Sequence, residues 1–299
     1  MKILATRRYP GPAFAELEDV EIVRLEELDA PQPDVEAVVV ANEPVPLELL
    51  PDLRVVANFG VGYDRVGVEA CLARGVVVTN TPGVLDAATA DLTFALILAA
   101  MRGVVAGDRL VRAGEWGRAW SDGVLADEVT GSTLGIVGLG RIGSAVARRA
   151  RGFELRVLYT RRRHVETELG EHRELDELLT EADVVTLHVP LTRETDGLID
   201  ARRLALLRDG ACLVNTSRGE IVDEDALVAE LVSGRLRAGL DVFRDEPNVP
   251  SELFGLENVV LTPHIGSGTR GAREAMTRLV VDNLLAVARG KPPLTPVRP

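Results

Sequence analysis

Several things are scarce in this chain of 299 residues, and each scarcity removes a class of function. There are two cysteines, Cys71 and Cys212, with neither the spacing of a metal site nor the number a disulfide framework needs. Both read as small buried hydrophobes. Basic residues are in deficit, 34 against 46 acidic ones, for a formal charge of -12. A field of that sign excludes non-specific binding to nucleic acid or to an anionic membrane, though a small anionic substrate remains open if positive charge is gathered locally. Long apolar runs are missing too. "FALILAAM" is too short to span a bilayer, and "MKILAT" enters a strand without the charged and apolar regions of a signal peptide, so a cytoplasmic location is expected. Histidine occurs four times, which confines any proton-transfer histidine to a short set.

What is present is a recurrent alternation. Runs rich in Val, Ile and Leu ("KILAT", "VEIVRL", "AVVVA", "RVVANF", "VVVTN", "TLGIVG", "LRVLYT", "VVTLHV", "ACLVNT", "RAGLDV", "VVLTP") are separated by helical stretches, which predicts an α/β protein with parallel sheets covered on both faces. The length favours two domains. A proline-free apolar segment over residues 87–113 predicts one long helix between two groups of strands. A last helix over 270–289, ended by Gly290 and Pro292, is expected to return to the first domain. The domains are therefore 1–86 plus 268–299 and 87–267, with a cleft between them, and "KPPLTPVRP" is expected to be a surface terminus.

"TLGIVGLGRIGSAVARRARGF" carries Gly138, Gly140 and Gly143 at G-x-G-x-x-G spacing between a strand and a helix. The first glycine suits a tight turn, the second the close approach of a pyrophosphate and the third helix packing, with the phosphates at the helix amino terminus. At the end of the next strand NAD-binding versions place a carboxylate. Here stand Thr160, Arg161, Arg162 and Arg163. Guanidinium groups suit a 2′-phosphate, so NADP(H) is the expected cofactor, with NAD(H) open; the alternative is a solvated basic turn.

Ligands of open α/β sheets lie beyond the carboxyl ends of strands. His164, in the arginine turn, and His172, in a stretch read as a charged helix, are expected at the surface, which leaves His188 and His264. Arg218 and the acids Asp241 and Glu246 also follow apolar strands. An arginine, a carboxylate and a histidine so placed suit reduction of a 2-keto acid: the arginine holds the substrate carboxylate and polarises the carbonyl, the histidine protonates the alkoxide, and the acid keeps the histidine charged. Each has a blander reading: Arg218 paired with Glu220, Glu246 as a turn carboxylate, His264 as a cap.

Together, "GLGRIG", "LHVPLT", "NTSRGEIVDEDAL", "GLDVFRDEP" and "LTPHIGSGT" resemble the D-isomer-specific 2-hydroxyacid dehydrogenases, and "NFGVGYDRV" and "TNTPGVLDAATADLTFALILAAMR" extend the likeness, this last toward glyoxylate/hydroxypyruvate reductases. The resemblance implies two Rossmann-like domains, a flavodoxin-like substrate domain and a dinucleotide-binding domain. It implies Arg218, Glu246 and His264 as catalytic residues, with His264 the proton donor. The backbone amides of Val61 and Gly62 would hold the substrate carboxylate with Arg218, so that catalysis needs the lobes to close. Asp241 would bond the nicotinamide carboxamide, and Arg141, Ile142, Pro190, Thr195, Thr216 and Gly266 would join the glycines and Thr160–Arg162 around the cofactor. His188 would sit near the cofactor without chemistry. A homodimer is implied through the 87–113 segment, where Trp116 and Trp120 pack at the interface or in the core. No metal, nucleic acid or membrane is implied. The expected activity is NADPH-dependent reduction of glyoxylate and hydroxypyruvate. The alternatives are an NAD-dependent dehydrogenase of another D-2-hydroxy acid such as phosphoglycerate, and, remotely, a non-catalytic dinucleotide-sensing protein like the corepressor relatives.

Overall fold

The computed structural model describes residues 1–119, 125–163 and 166–298. The expectations for Trp120 and His164 fall on residues outside these. The chain forms two compact units, Met1–Leu85 with Ser267–Pro299, and Asp86–Gly266.

The first unit contains β1 (Lys2–Ala5), β2 (Val20–Ile22), β3 (Val35–Val40), β4 (Val55–Asn58), α1 (Val68–Ala73) and β5 (Val77–Thr79). Its five strands run parallel in the order β2-β1-β3-β4-β5. Val35, Val38, Val40, Val56 and Val78 are buried in one apolar cluster with Leu4 and Leu50, as strands covered on both faces require.

The second unit begins with α2 (Asp86–Met101), α3 (Val104–Arg112) and α4 (Trp116–Ala119). It continues with β6 (Thr133–Val137), α5 (Arg141–Ala150), β7 (Arg156–Thr160), β8 (Glu171–His172), α6 (Leu175–Glu181), β9 (Val184–Leu187), α7 (Ala201–Leu204), β10 (Cys212–Asn215), α8 (Glu224–Val232), β11 (Arg237–Leu240) and β12 (Val259–Leu261). The sheet is parallel, in the order β12-β11-β10-β9-β6-β7-β8. Successive strand residues alternate between two cores. Leu134, Ile136, Val157, Tyr159, Cys212 and Val214 pack with Phe94 and Ile97 of α2 and Val146 of α5. Val137, Leu158, Val185 and Leu213 pack with Leu178 of α6, Leu204 of α7 and Leu227 and Leu231 of α8. Strand order reverses on either side of β6, so the loops after β6 and β9 flank the switch point where such sheets bind ligands. The chain then re-enters the first unit through α9 (Arg270–Ala288), capped by the Thr269 hydroxyl on the Ala272 N–H, and α9 packs on β4.

Two expectations are corrected. The 87–113 segment is two helices, bent by 64° between α2 and α3. Gly103, in the left-handed region at φ 59°, ends one helix and starts the next. Among the described residues no single helix is long and apolar enough to cross a membrane. His172 lies not in a helix but in β8, half-buried with its ring edge-on to Tyr159 at 5.5 Å; the helix starts only at Leu175, behind a capping box between Glu174 and Glu177. The tail lies mostly at the surface, as expected, and is anchored there. Thr295 accepts at its hydroxyl from Asn283 Nδ2, its N–H reaches Asn283 Oδ1, and the Val297 N–H donates to the Val78 carbonyl while its side chain is buried.

Candidate active site

The glycine loop is built by crowding. Gly138 has φ 100°, and a Cβ there would lie 2.8 Å from the His188 carbonyl; a Cβ on Gly143 would lie 2.3 Å from the Gly138 oxygen. Gly140 differs, because a Cβ on it meets nothing within 4 Å. The open space is above the second glycine, where a ligand backbone would pass. α5 starts at Arg141 with no side-chain cap and no acid in its first turn, so the N–H groups of Arg141, Ile142 and Gly143 form an amino terminus suited to an anion. These features fit a pyrophosphate.

Thr160 ends β7, and its carbonyl accepts the Gly138 N–H at 3.0 Å, which joins the arginine turn to the glycine loop. Arg161 is half-buried; Arg162 and Arg163 are exposed. No acid stands among residues 160–163, and Arg162 is close enough to add its charge to the Thr192 hydroxyl bond that chiefly holds the Glu194 carboxyl below its ordinary value.

The loop after β9 is tied within itself. Thr195 Oγ1 donates to the Pro190 carbonyl at 2.6 Å and accepts the Thr192 N–H at 2.8 Å. His188 Nε2 pairs with Thr186 Oγ1 at 2.9 Å, and burial pushes its imidazole down to about 3. It is neutral at physiological pH.

His264 stands beyond β12 in a turn set by Asp241. The carboxylate of Asp241 is fully buried. Its Oδ1 accepts the Thr262 hydroxyl at 2.6 Å and the Ile265 N–H at 2.8 Å, and its Oδ2 accepts the Gly266 N–H at 2.7 Å. Burial raises the carboxyl above its ordinary value although all three bonds pull the other way. Within this turn His264 takes φ 50°, a conformation rare outside glycine and one that a rigid surround must hold. Its Nδ1 lies 2.8 Å from Glu246 Oε2, and the ring is 47% exposed. Glu246 Oε1 accepts the Phe243 N–H at 3.2 Å. Burial opposes ionisation of Glu246, but the His264 bond and charge, the Phe243 N–H and the Arg218 charge outweigh it and leave the carboxyl below its ordinary value. An ionised Glu246 fixes the Nδ1 proton, so Nε2 is the atom left to exchange a proton with a substrate.

Arg218 reaches this group by loop packing. Asn215, buried at the end of β10, donates from Nδ2 to the Arg218 carbonyl at 2.7 Å and accepts from the Ser217 N–H and hydroxyl. A Cβ on Gly219 would lie 2.0 Å from the Phe243 carbonyl carbon, so only glycine lets the Arg218 loop lie against the loop that carries Glu246. Thr93 donates its hydroxyl to the Thr89 carbonyl, so the 3.2 Å contact with Thr216 is a donation from Thr216 to Thr93. Asn215, Gly219 and Thr262 escaped the reading of the sequence. A buried Asn ending an apolar strand was the available signal.

Arginine, ionised carboxylate and histidine at strand ends, beside a phosphate-accepting glycine loop, are the equipment of a nicotinamide-dependent hydroxyacid enzyme. Residues 94–266 match the family described as D-isomer specific 2-hydroxyacid dehydrogenase, NAD binding domain. The chain belongs to the D-isomer specific 2-hydroxyacid dehydrogenases. Among members of the family, it is 49% identical to a glyoxylate reductase of Pyrococcus horikoshii over 98% of this chain and 95% of that one. It is 52% identical to a glyoxylate reductase of Thermococcus kodakarensis over 82% and 76% of the two chains. Of solved structures, a protein of Thermus thermophilus matches with a TM-score of 0.91 and 43% identity over the whole of both chains. An NADPH-dependent glyoxylate/hydroxypyruvate reductase of Sinorhizobium meliloti, in complex with NADP and malonate, matches with a TM-score of 0.90 and 36% identity over 99% and 96%. This dehydrogenase is an NAD(P)-dependent oxidoreductase, and its cofactor is a nicotinamide dinucleotide.

Two further expected residues lie in the first unit. Val61 and Gly62 follow β4, with the Val61 carbonyl bonded to Asn80 Nδ2 and the Gly62 carbonyl to Asn58 Nδ2. Asn58, which ends β4, bonds through its amide to the backbone around it. Trp116, in α4, is 62% exposed.

Proposed function

We propose that this dehydrogenase reduces small 2-keto acids, glyoxylate and hydroxypyruvate first, to D-2-hydroxy acids, with NADPH as the preferred reductant. The observation that carries this is the His264 Nδ1 to Glu246 Oε2 bond of 2.8 Å beside Arg218. His264, held by ionised Glu246, delivers a proton from Nε2 to the oxygen of the keto group as negative charge develops there. Arg218 holds the substrate carboxylate and draws electron density toward the carbonyl oxygen. Val61 and Gly62 are assigned to the carboxylate on the family resemblance. When bound, the dinucleotide supplies the hydride. Gly138, Gly140 and the first amides of α5 hold its pyrophosphate, and Arg161 and Arg162 hold a 2′-phosphate. On the family resemblance Asp241 bonds the nicotinamide carboxamide and Gly266, Thr216 and Thr195 join in holding the cofactor, while Asp241 also shapes the His264 turn.

The relatives named as glyoxylate reductases support the substrate class, and the S. meliloti reductase bound to NADP supports the cofactor. The test is kcat/KM for glyoxylate and hydroxypyruvate with NADPH and with NADH, repeated with Arg161→Ala and Arg162→Ala. NADPH should be favoured by about tenfold or more, the worth of one charge-assisted contact, and the two variants should erase the preference. A preference for NADH would keep the enzyme and overturn the role of the arginine turn. No turnover of either acid would overturn the substrate.

A further inference from the structure

The loop that follows β4 is held in an unusual way. Three asparagines come from the carboxyl ends of three neighbouring strands: Asn42 just past β3, Asn58 ending β4 and Asn80 just past β5. Asn58 Nδ2 donates both its protons, to the Gly60 carbonyl at 3.2 Å and the Gly62 carbonyl at 2.8 Å. Its Oδ1 accepts the Asn42 N–H at 2.7 Å, which fixes which end of the amide is which. Asn80 Nδ2 donates to the Val61 carbonyl at 2.9 Å, and the Thr81 N–H adds a bond to the Gly60 carbonyl at 3.0 Å. Asn42, itself at φ 62°, closes the far end by accepting the Arg65 N–H and donating to Asp64.

Three consecutive carbonyls are thus bound by the loop's own supports. These peptides are trans, and in a trans peptide the C=O and the N–H of the next residue point in opposite directions. Binding the carbonyls of Gly60, Val61 and Gly62 therefore turns the N–H groups of Val61, Gly62 and Tyr63 the other way. We propose that Asn58 and Asn80 are positioning residues which, by holding these carbonyls, aim the Val61, Gly62 and Tyr63 N–H groups as a receptor for the carboxylate of a small 2-keto acid. Successive backbone N–H groups facing one way form an anion-binding concavity without any cationic side chain. The inference rests on the reading that residues 61 and 62 receive the substrate carboxylate. It adds the cause of that geometry, and Tyr63 as a third donor.

The test uses the whole chain saturated with the dinucleotide it uses, oxalate as a dicarboxylate probe followed by titration calorimetry, and glyoxylate turnover. Asn80 is half-buried and has its side chain on Val61 alone, so Asn80→Ala is the primary variant; Asn58→Ser is the second, and Val61→Pro deletes an N–H outright. Asn80→Ala should weaken oxalate and raise the glyoxylate KM together by about tenfold, the scale of one oriented hydrogen bond. kcat should stay within about twofold, and the dinucleotide KM should not move. Unchanged oxalate affinity in Val61→Pro would remove the loop from carboxylate binding, and the inference with it. Weakening by Val61→Pro but not by Asn80→Ala or Asn58→Ser would overturn the positioning role alone. A parallel loss of dinucleotide affinity and thermal stability in Asn80→Ala would do so too, by making Asn80 merely structural.

Discussion

At the carboxyl ends of the seven-stranded sheet stand Arg218, Asp241, Glu246 and His264, whose charges and protons matter; at the corresponding ends of the five-stranded sheet stand Asn42, Asn58 and Asn80, which neither titrate nor carry charge. The first set acts through its own side-chain atoms, as in the 2.8 Å bond from His264 to Glu246. In the second set Asn58 and Asn80 act on backbone, binding the carbonyls of residues 60–62, while Asn42 braces Asn58 and the Asp64–Arg65 end of the loop. Proton transfer needs a group whose charge can change, whereas a carboxylate that only has to be held is served by fixed dipoles, which keep their strength at every pH.

The contrast is broken most severely at His264. His264→Asn keeps a side chain of similar polarity without a transferable proton, and kcat for reduction should fall by about 10²–10⁴-fold. Dinucleotide affinity, measured by fluorescence titration, should be unchanged; an effect below tenfold would show that the proton comes from elsewhere. Next in size is Glu246→Gln, expected to lower kcat by about 10²-fold through loss of the charge that holds His264. Because the folded Glu246 carboxyl lies below its ordinary 4.5, it stays ionised above that pH and loses its charge only as pH falls through the lowered value. Wild-type kcat should therefore hold down to about pH 4.5 on this limb, and the variant should lack the limb altogether. His188 gives the smallest effect and sharpens the comparison, since it is a histidine made to behave like the asparagines. Its folded value is about 3 against 6.5 for an ordinary histidine, so only the unfolded chain takes up the proton between those limits. Stability is full above pH 6.5 and declines as pH falls toward 3, by up to about 1.4 kcal/mol per pH unit. His188→Gln should flatten that decline in urea midpoints compared between pH 7 and pH 5.

The same contrast explains what was legible in the sequence. Apolar strands such as "AVVVA" in the first sheet and "TLGIVG" in the second announced both because a strand buried on two faces is apolar throughout. Glu171–His172 carries no such signal: β8 is an edge of two residues fastened by Arg156 and Arg173 to Glu171, so charge pairing rather than apolar content places it. Gly103 was legible as a residue and not as a break, because a single glycine inside an apolar helical pattern is tolerated as often as it interrupts. Arg218, Glu246 and His264 stood out as charged groups after strands. Asn58 and Asn80 did not, since a neutral amide bonded to main chain leaves no mark in composition or spacing. Gly219, too, was invisible until its closeness to Phe243 could be measured.

The re-entry of the chain into the first unit has a consequence in the order of synthesis. Residues 1–85 are made before residues 267–298, yet the sheet they form lacks α9, which packs on β4, and Val297, which closes on Val78, until those later residues have left the ribosome. Asp86–Gly266, by contrast, is contiguous and has every residue it needs while the first unit still waits. The first unit is begun before the second and completed after it, so the valine-rich strands β3 and β4 wait through the synthesis of the second unit without the helix that covers them.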